Sequence, residues 1–271
     1  MVLQKRGQIT AFIIVGIIIL SCAGILIYLN ANDAKAPAEI SSERLQQAAL
    51  FGSSIPQFVE YCQREAVNEA IIENSLTGGY FVLPEKRTSG MNDDVPYFLY
   101  SGQNLFPTED MIAEEIGSYA DAVLGLCLGN FEKLKELGYN ISYEEPSSVL
   151  VLDQKSILIK TKMPLSASKD TQTKQFNEFT ANIPAEQLYN DINAARKIAE
   201  SQEARQKLGK GDEICISCYS DIAAQNGLFV NILPYHNNTY IFDVQDNDYV
   251  INGEKYRLRF AVDYEENDED D

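Results

Sequence analysis

The chain of 271 residues has a single histidine, His236, and no tryptophan. Because Ser-His-Asp and Cys-His-Asn enzymes and most zinc enzymes depend on histidine, any such site would have to include that one residue. Cations are scarce as well: 22 lysines and arginines oppose 40 aspartates and glutamates, which gives a formal charge of −18. Such a chain repels phosphate backbones, so we expect no nucleic-acid partner.

Sequence motifs of the common enzyme classes are missing too. The chain has no P-loop, G-x-G-x-x-G, G-x-S-x-G or H-E-x-x-H pattern, so neither nucleotide binding nor the usual hydrolytic chemistry is indicated. We therefore predict no catalytic residue, no cofactor and no metal, and we expect a protein that is not an enzyme. Apolar residues make up 45% of the chain, which is enough for a folded core.

One long hydrophobic segment lies near the N-terminus. From residue 9 to residue 29 every side chain is apolar or small apart from three hydroxyl residues. A helix of this length spans about 31 Å, the thickness of the hydrocarbon core of a bilayer. Lys5 and Arg6 precede the segment, so the positive-inside rule leaves the N-terminus in the cytoplasm. We predict a transmembrane helix over residues 8–29 in the cell membrane, with the following chain extracytoplasmic.

Two other interpretations of this segment fit less well. A cleaved signal peptide usually has an apolar stretch of roughly 7–15 residues and a small-x-small cleavage site, whereas this run is longer and no such site closely follows it. A lipoprotein would carry its lipid on Cys22, yet the chain stays apolar as far as Leu29. A permanent anchor therefore explains the segment best.

The start of the chain also carries a resemblance. Residues 5–10, with the sequence KRGQIT and an apolar helix after them, resemble the class III signal peptide of archaeal type IV pilin-like proteins. The resemblance implies a signal-peptidase site between Gly7 and Gln8. That family usually has a glutamate five residues after the cut, where this chain has Phe12, so the resemblance implies an anchor more firmly than a filament. Residues 56–80 also resemble uncharacterised archaeal membrane-anchored proteins, for which no activity is established.

Helical and strand-like patterns alternate after the anchor, which predicts an α+β ectodomain of helices packed on antiparallel sheet. We divide the chain into a basic N-terminus or leader (1–7), the anchor (8–29), a linker (30–38), an α+β unit (39–183), a helix plus small α+β unit (184–262) and a disordered acidic tail (263–271). Predicted helices cover 43–51, 56–78, 108–127, 184–207 and 218–225, with a short helix that ends near residue 138. Predicted strands cover 80–83, 96–100, 139–143, 148–153, 156–163, 173–183, 228–233, 239–244 and 254–262; those between 139 and 183 form a three- or four-stranded antiparallel meander.

Four cysteines lie beyond the anchor, and an oxidising exterior favours their pairing. Cys62 and Cys127 each lie on the apolar stripe of a predicted helix, so helices that pack through these stripes would bring the two thiols together. A bridge between them would close a loop of about 65 residues, worth about 4 kcal/mol on the chain-entropy model. The alternative is that both are buried free thiols.

Cys215 and Cys218 form a C-x-x-C sequence at the start of a predicted helix. A bridge over so short a loop adds little stability, about 2 kcal/mol at most. Such a motif can support thiol–disulfide exchange, although the neighbouring Asp212, Glu213 and Asp221 disfavour a thiolate. We interpret the pair mainly as a structural disulfide or unpaired thiols, with redox chemistry or a metal as alternatives.

Two further sets of polar residues are candidate sites. Asp243, Asp246, Asp248 and Glu254 surround a predicted turn and could hold calcium, but their spacing does not fit an EF-hand, and a solvated acidic turn is the simpler interpretation. N-glycosylation acceptor sequences begin at Asn140 and Asn237.

The sequence therefore predicts a single-pass, membrane-anchored cell-surface protein with a structural, adhesive or interaction role, in one version a pilin-like subunit. Its expected partners are the lipid bilayer, through residues 8–29, and either other copies of the chain or other surface proteins. Two alternatives stay open. One is a membrane-tethered thiol–disulfide oxidoreductase that uses Cys215 and Cys218; the other is an extracytoplasmic module that binds a solute or a cation.

Overall fold

The computed structural model describes residues 55–89, 94–209, 214–236 and 238–263. The predicted leader, anchor, linker and first helix, and the tail beyond Asp263, lie outside these residues. Within the described ranges, no helix combines the length and the hydropathy needed to cross a membrane. The described part of the chain is a mixed α+β fold with helices packed on sheets, which confirms that part of the predicted fold class.

Five α-helices and nine strands form the described part of the chain. The helices are α1 (Ile55–Leu76), α2 (Glu109–Leu128), α3 (Glu132–Glu136), α4 (Glu186–Lys207) and α5 (Ile216–Gln225). The strands are β1 (Tyr97–Tyr100), β2 (Gln103–Asn104), β3 (Asn140–Tyr143), β4 (Ser147–Leu152), β5 (Ser156–Lys169), β6 (Gln172–Pro184), β7 (Leu228–Pro234), β8 (Thr239–Ile251) and β9 (Glu254–Asp263).

Helix α2 has the start signals that its sequence predicts. The Thr108 side chain accepts a hydrogen bond from the N–H of Met111, and two acidic residues follow in the first turn, where the helix dipole favours them. At the other end Gly129 has a φ of 52°, and its N–H donates to the carbonyl of Gly125. This left-handed residue ends the helix.

The first sheet has five strands in the order β2-β1-β9-β8-β7. Strand β1 runs parallel to β9, and the other neighbours are antiparallel. The β8–β9 hairpin turns at Asn252 and Gly253, whose φ values of 52° and 88° are those expected of a type I′ turn. Strand β8 therefore continues to Ile251, well beyond the predicted end at Val244. Three of the four acidic residues assigned to a turn lie within this strand instead.

The second sheet is built around β5, which pairs with β6 along one edge and with both β4 and β3 along the other. Strand β4 pairs with residues 157–162 of β5, and β3 pairs with residues 165–168. Because β5 has 14 residues and β4 has six, the rest of that edge is free for β3. Strands β4, β5 and β6 form the predicted meander, whereas β3 joins the sheet through β5.

Helix α1 lies between the two sheets and packs against α2, β6 and β9. Buried side chains from both sheets and all five helices belong to one continuous core. Strand β1 precedes residue 184 in the chain but pairs with β9, which follows it. The unit boundary predicted at residue 184 therefore falls within a shared sheet and a shared core.

Two further predicted elements differ from the structure. Residues 80–83 do not form a strand: the N–H groups of Phe81 and Val82 donate to the Glu115 carboxylate of α2 at 2.7 and 3.1 Å, so a side chain takes the place of a partner strand. Pro184 does not open the long helix. It is the last residue of β6, and α4 begins at Glu186.

Candidate functional site

The structure brings Cys62 and Cys127 to disulfide-bonding distance, with their Cα atoms 5.5 Å apart. Cys62 is fully buried near the start of α1, and Cys127 is half-buried near the end of α2. The pair therefore joins the two helices where they run antiparallel, as the two apolar stripes predict. Its place in the core indicates a structural cross-link.

The structure also brings Cys215 and Cys218 together, with Cα atoms 5.3 Å apart. Cys215 is the N-cap of α5, and its Sγ accepts a hydrogen bond from the backbone N–H of Cys218 at 3.3 Å. Both cysteines are half-buried, and Ile216 and Ser217 between them are exposed. Unlike the core pair, this pair lies within reach of a partner in solution.

A buried tyrosine fixes the first turn of α5. Tyr219 follows Cys218 directly, and its ring meets the Phe242 ring of β8 edge-on at a centroid distance of 5.2 Å. Its hydroxyl donates a hydrogen bond to the side-chain oxygen of Gln202 on α4. The helix that carries the cysteine pair is therefore fixed by contacts with both β8 and α4.

This geometry suits thiol–disulfide exchange. The free N–H groups and the dipole at a helix N-terminus stabilise a thiolate, and the N–H of Cys218 already points at the Cys215 sulfur. Three neighbouring acids are predicted to disfavour a thiolate. Asp221 is exposed on α5, and Asp212 and Glu213 lie outside the described residues.

The acidic residues proposed for calcium do not share one site. Asp243 forms an ion pair with Arg257 across the β8–β9 hairpin, while Asp246 accepts a hydrogen bond from Gln187 of α4 at 2.5 Å. Asp248 and Glu254 are exposed. Across the described ranges, no group of three or more His, Cys, Asp or Glu side chains is arranged to hold a metal ion.

The structure shows a buried carboxyl pair that the sequence analysis missed, between Asp191 of α4 and Asp246 of β8. Each is 1% exposed, and the Gln187 amide nitrogen donates to both. Burial, and then the charge of Asp246, raise the pKa of Asp191 to about 8. Burial beside the same two acids raises the pKa of Tyr249 to about 12. Burial and the neighbouring charge therefore favour the protonated form of Asp191.

The sequence spacing along α4 indicates that Asp191 is buried. Four apolar residues that recur at helical spacing along α4 are all buried: Leu188, Ile192, Ala195 and Ala199. Asp191 lies three residues after Leu188 and directly before Ile192, so it falls on the same stripe. An acid at such a position must be neutral or paired when the stripe is buried.

The remaining candidate residues are those predicted as modification sites. Asn140 is exposed at the start of β3. Asn237, Gly7 and Gln8 lie outside the described residues. Comparisons with protein-family models, with curated proteins and with solved structures found no match.

Proposed function

We propose that the chain is a single-pass membrane-anchored cell-surface protein with a structural, adhesive or interaction role. The observation that carries the proposal is the Cys62–Cys127 pair, which lies at bonding distance with Cys62 fully buried in the core. Structural disulfides form and persist in oxidising compartments outside the cytoplasm. A domain with such a cross-link fits the extracytoplasmic side of a membrane, and the hydrophobic segment at residues 8–29 fits the anchor.

Charge and surface chemistry support the same location. The chain carries a formal charge of −18, which favours solubility at an exposed cell surface. The acceptor sequence at Asn140 starts on an exposed residue, as glycosylation outside the cytoplasm requires. The interaction role is the part of the proposal that depends on partners, which are other copies of the chain or other surface proteins.

Intact-mass analysis of the full chain, extracted from its native membrane and alkylated before and after reduction, tests this proposal. We expect the chain in the membrane fraction, with Cys62 and Cys127 protected from alkylation until reduction. A mass that begins at Gln8 would add pilin-type processing. Recovery in the soluble fraction with both core cysteines alkylated would contradict the proposal.

The Cys215–Cys218 pair favours a second candidate function, a membrane-tethered thiol–disulfide oxidoreductase. The specific observation is the hydrogen bond from the Cys218 N–H to the Cys215 sulfur at the start of α5. The test is the rate at which the full chain transfers electrons from dithiothreitol to a synthetic disulfide-bridged peptide. We expect Cys218→Ser to abolish this rate and the exposed Ser220→Ala on the same helix to leave it unchanged. An inactive parent chain would exclude the function.

A further inference from the structure

A cavity of about 470 Å³ lies beside the turn of the β5–β6 hairpin, where the start of α1 and the short helix α3 meet the hairpin. Pockets that hold small organic ligands usually have volumes of about 300–1,000 Å³ and combine an apolar wall with a few polar groups. The cavity therefore has the size of a ligand site. Its inner wall and its rim differ in chemistry, and this difference indicates a class of ligand.

The inner wall of the cavity is apolar. Ile55 at the start of α1, Leu134 of α3 and Ala167 of β5 line it, and all three are buried. The half-buried rings of Tyr139 and Phe176 add aromatic carbon to the same wall. Such a surface favours a ligand with an apolar body, because contact removes apolar area from water.

Two exposed lysines of the hairpin form part of the rim. Lys174 of β6 is paired in register with Ala167 of β5, and Lys169 of β5 is paired with Gln172 of β6. Residues that pair across antiparallel strands share a face of the sheet, as do residues two apart in one strand. Lys169 and Lys174 are therefore diagonal neighbours on the face that Ala167 lines, at a separation that long side chains can bridge.

The side chain of Lys169 is positioned by its neighbours. Its Nζ atom lies 4.7 Å from the centroid of the Tyr139 ring, a cation–π contact. Its Cε atom lies 3.9 Å from the place that a Cβ on Gly138 would occupy. These contacts keep the ammonium group at the cavity, where a ligand can reach it.

The cavity has a different charge balance from the chain as a whole. Its lining has two lysines and one acid, Asp170 in the hairpin turn, whereas the chain has 22 cationic and 40 acidic residues. Among the residues that the structure describes, neither Lys169 nor Lys174 forms an ion pair. Two neighbouring ammonium groups repel each other, and an anion placed between them removes that repulsion.

We propose that this cavity binds a small amphiphilic anion, whose acidic group pairs with Lys169 and Lys174 while its apolar body packs on the inner wall. The inference goes beyond the proposed function and does not depend on it. Two sources supply this chemistry: an organic acid free in solution and an anionic lipid of a bilayer.

Protection of the two lysines from acetylation tests the proposal. The full chain is placed in nanodiscs of phosphatidylcholine and treated with sulfosuccinimidyl acetate, and the acetylation rate of each lysine is read by peptide mass spectrometry. The probe is 2-naphthoate. Naphthalen-2-yl-trimethylammonium has the same rings and the opposite charge, and acetate has the acidic group without the rings. Because the chain is acidic overall, non-specific adsorption favours the ammonium compound.

We expect 2-naphthoate to slow the acetylation of Lys169 and Lys174 several-fold and to leave Lys162 unchanged. Lys162 is exposed on the same strand as Lys169 and is absent from the lining of the cavity. The ammonium compound and acetate, at the same concentration, should protect neither lysine of the cavity. Lys174→Gln should abolish the protection of Lys169, whereas the matched Lys162→Gln should preserve it.

Three results would overturn the proposal: no protection by 2-naphthoate, equal protection by the ammonium compound or by acetate, or equal protection of Lys162. A final arm replaces the lipid with phosphatidylglycerol and omits the probe. Protection of Lys169 and Lys174 in that arm, with Lys162 unchanged, would support the proposal and assign the anion to the bilayer. Protection by 2-naphthoate alone would support it and assign the anion to a free acid.

Discussion

Asp191 of α4 and Asp246 of β8 are both buried and receive hydrogen bonds from the same Gln187 amide group. Burial in the low-dielectric core, and then the neighbouring charge of Asp246, disfavour the ionised form of Asp191 and raise its pKa. Among the described residues, Asp191 is therefore one place where pH acts on the stability of the fold.

The raised pKa of Asp191 predicts how stability depends on pH. In the folded state this pKa is about 8, against the ordinary value of 3.8, so between these values the folded state binds a proton that the unfolded state has lost. The contribution of Asp191 to stability is therefore fully present below about pH 4 and is lost as the pH rises to about 8.

Asp191→Asn isolates this effect, since asparagine has the same shape and does not ionise. We expect the variant to match the parent in unfolding free energy at pH 4. At pH 9 it should exceed the parent by up to roughly 5 kcal/mol, since each pKa unit corresponds to about 1.4 kcal/mol. Urea denaturation at several pH values measures the difference, with the exposed Asp248→Asn as the control. A difference that does not change with pH would refute the assignment.

The two cysteine pairs should contribute unequally to stability. Loss of the core bridge by Cys62→Ala and Cys127→Ala together frees a loop of 65 residues in sequence separation, which costs about 4 kcal/mol on the chain-entropy model. Loss of the other bridge by Cys215→Ser and Cys218→Ser opens a loop whose ends are three residues apart in sequence. It should lower the unfolding free energy by about 2 kcal/mol or less. Chemical denaturation of both double variants compares them. Equal losses would mean that the Cys215–Cys218 bridge also has a mainly structural role.

Local patterns predicted much of the fold but not its long-range pairing. Apolar spacing identified the buried side of α4, and the N-cap at Thr108 identified the start of α2. The predicted strand ended at Val244, whereas β8 continues to the Asn252–Gly253 turn. The parallel pairing of β1 with β9 joins residues more than 150 positions apart, and no local pattern encodes such a contact.

The candidate site shows the same division. The C-x-x-C sequence and its position at a helix start follow from residue order, so the sequence predicted both. The packing of Tyr219 against Phe242 fixes the helix that carries the pair. This is a tertiary contact between distant parts of the chain, so no local pattern predicts it.

Gly78, just after helix α1, is a position where a larger side chain should lower stability for steric reasons. It has a φ of +65°, and a Cβ added there would collide with the Pro96 ring and lie 3.0 Å from the Arg259 carbonyl oxygen. Both the backbone conformation and the contact with β9 therefore require glycine. We expect Gly78→Ala to lower the unfolding free energy by about 1–3 kcal/mol.

Gly125 provides the matched control for that substitution. It lies on an exposed turn of α2, and a Cβ added there would have no neighbour within 4 Å. Because alanine is favoured over glycine inside a helix, Gly125→Ala should raise the unfolding free energy by about 0.5–1 kcal/mol. Thermal melts of the two variants should therefore shift in opposite directions. A common direction for both shifts would show that the close approach of residue 78 to β9 does not control stability.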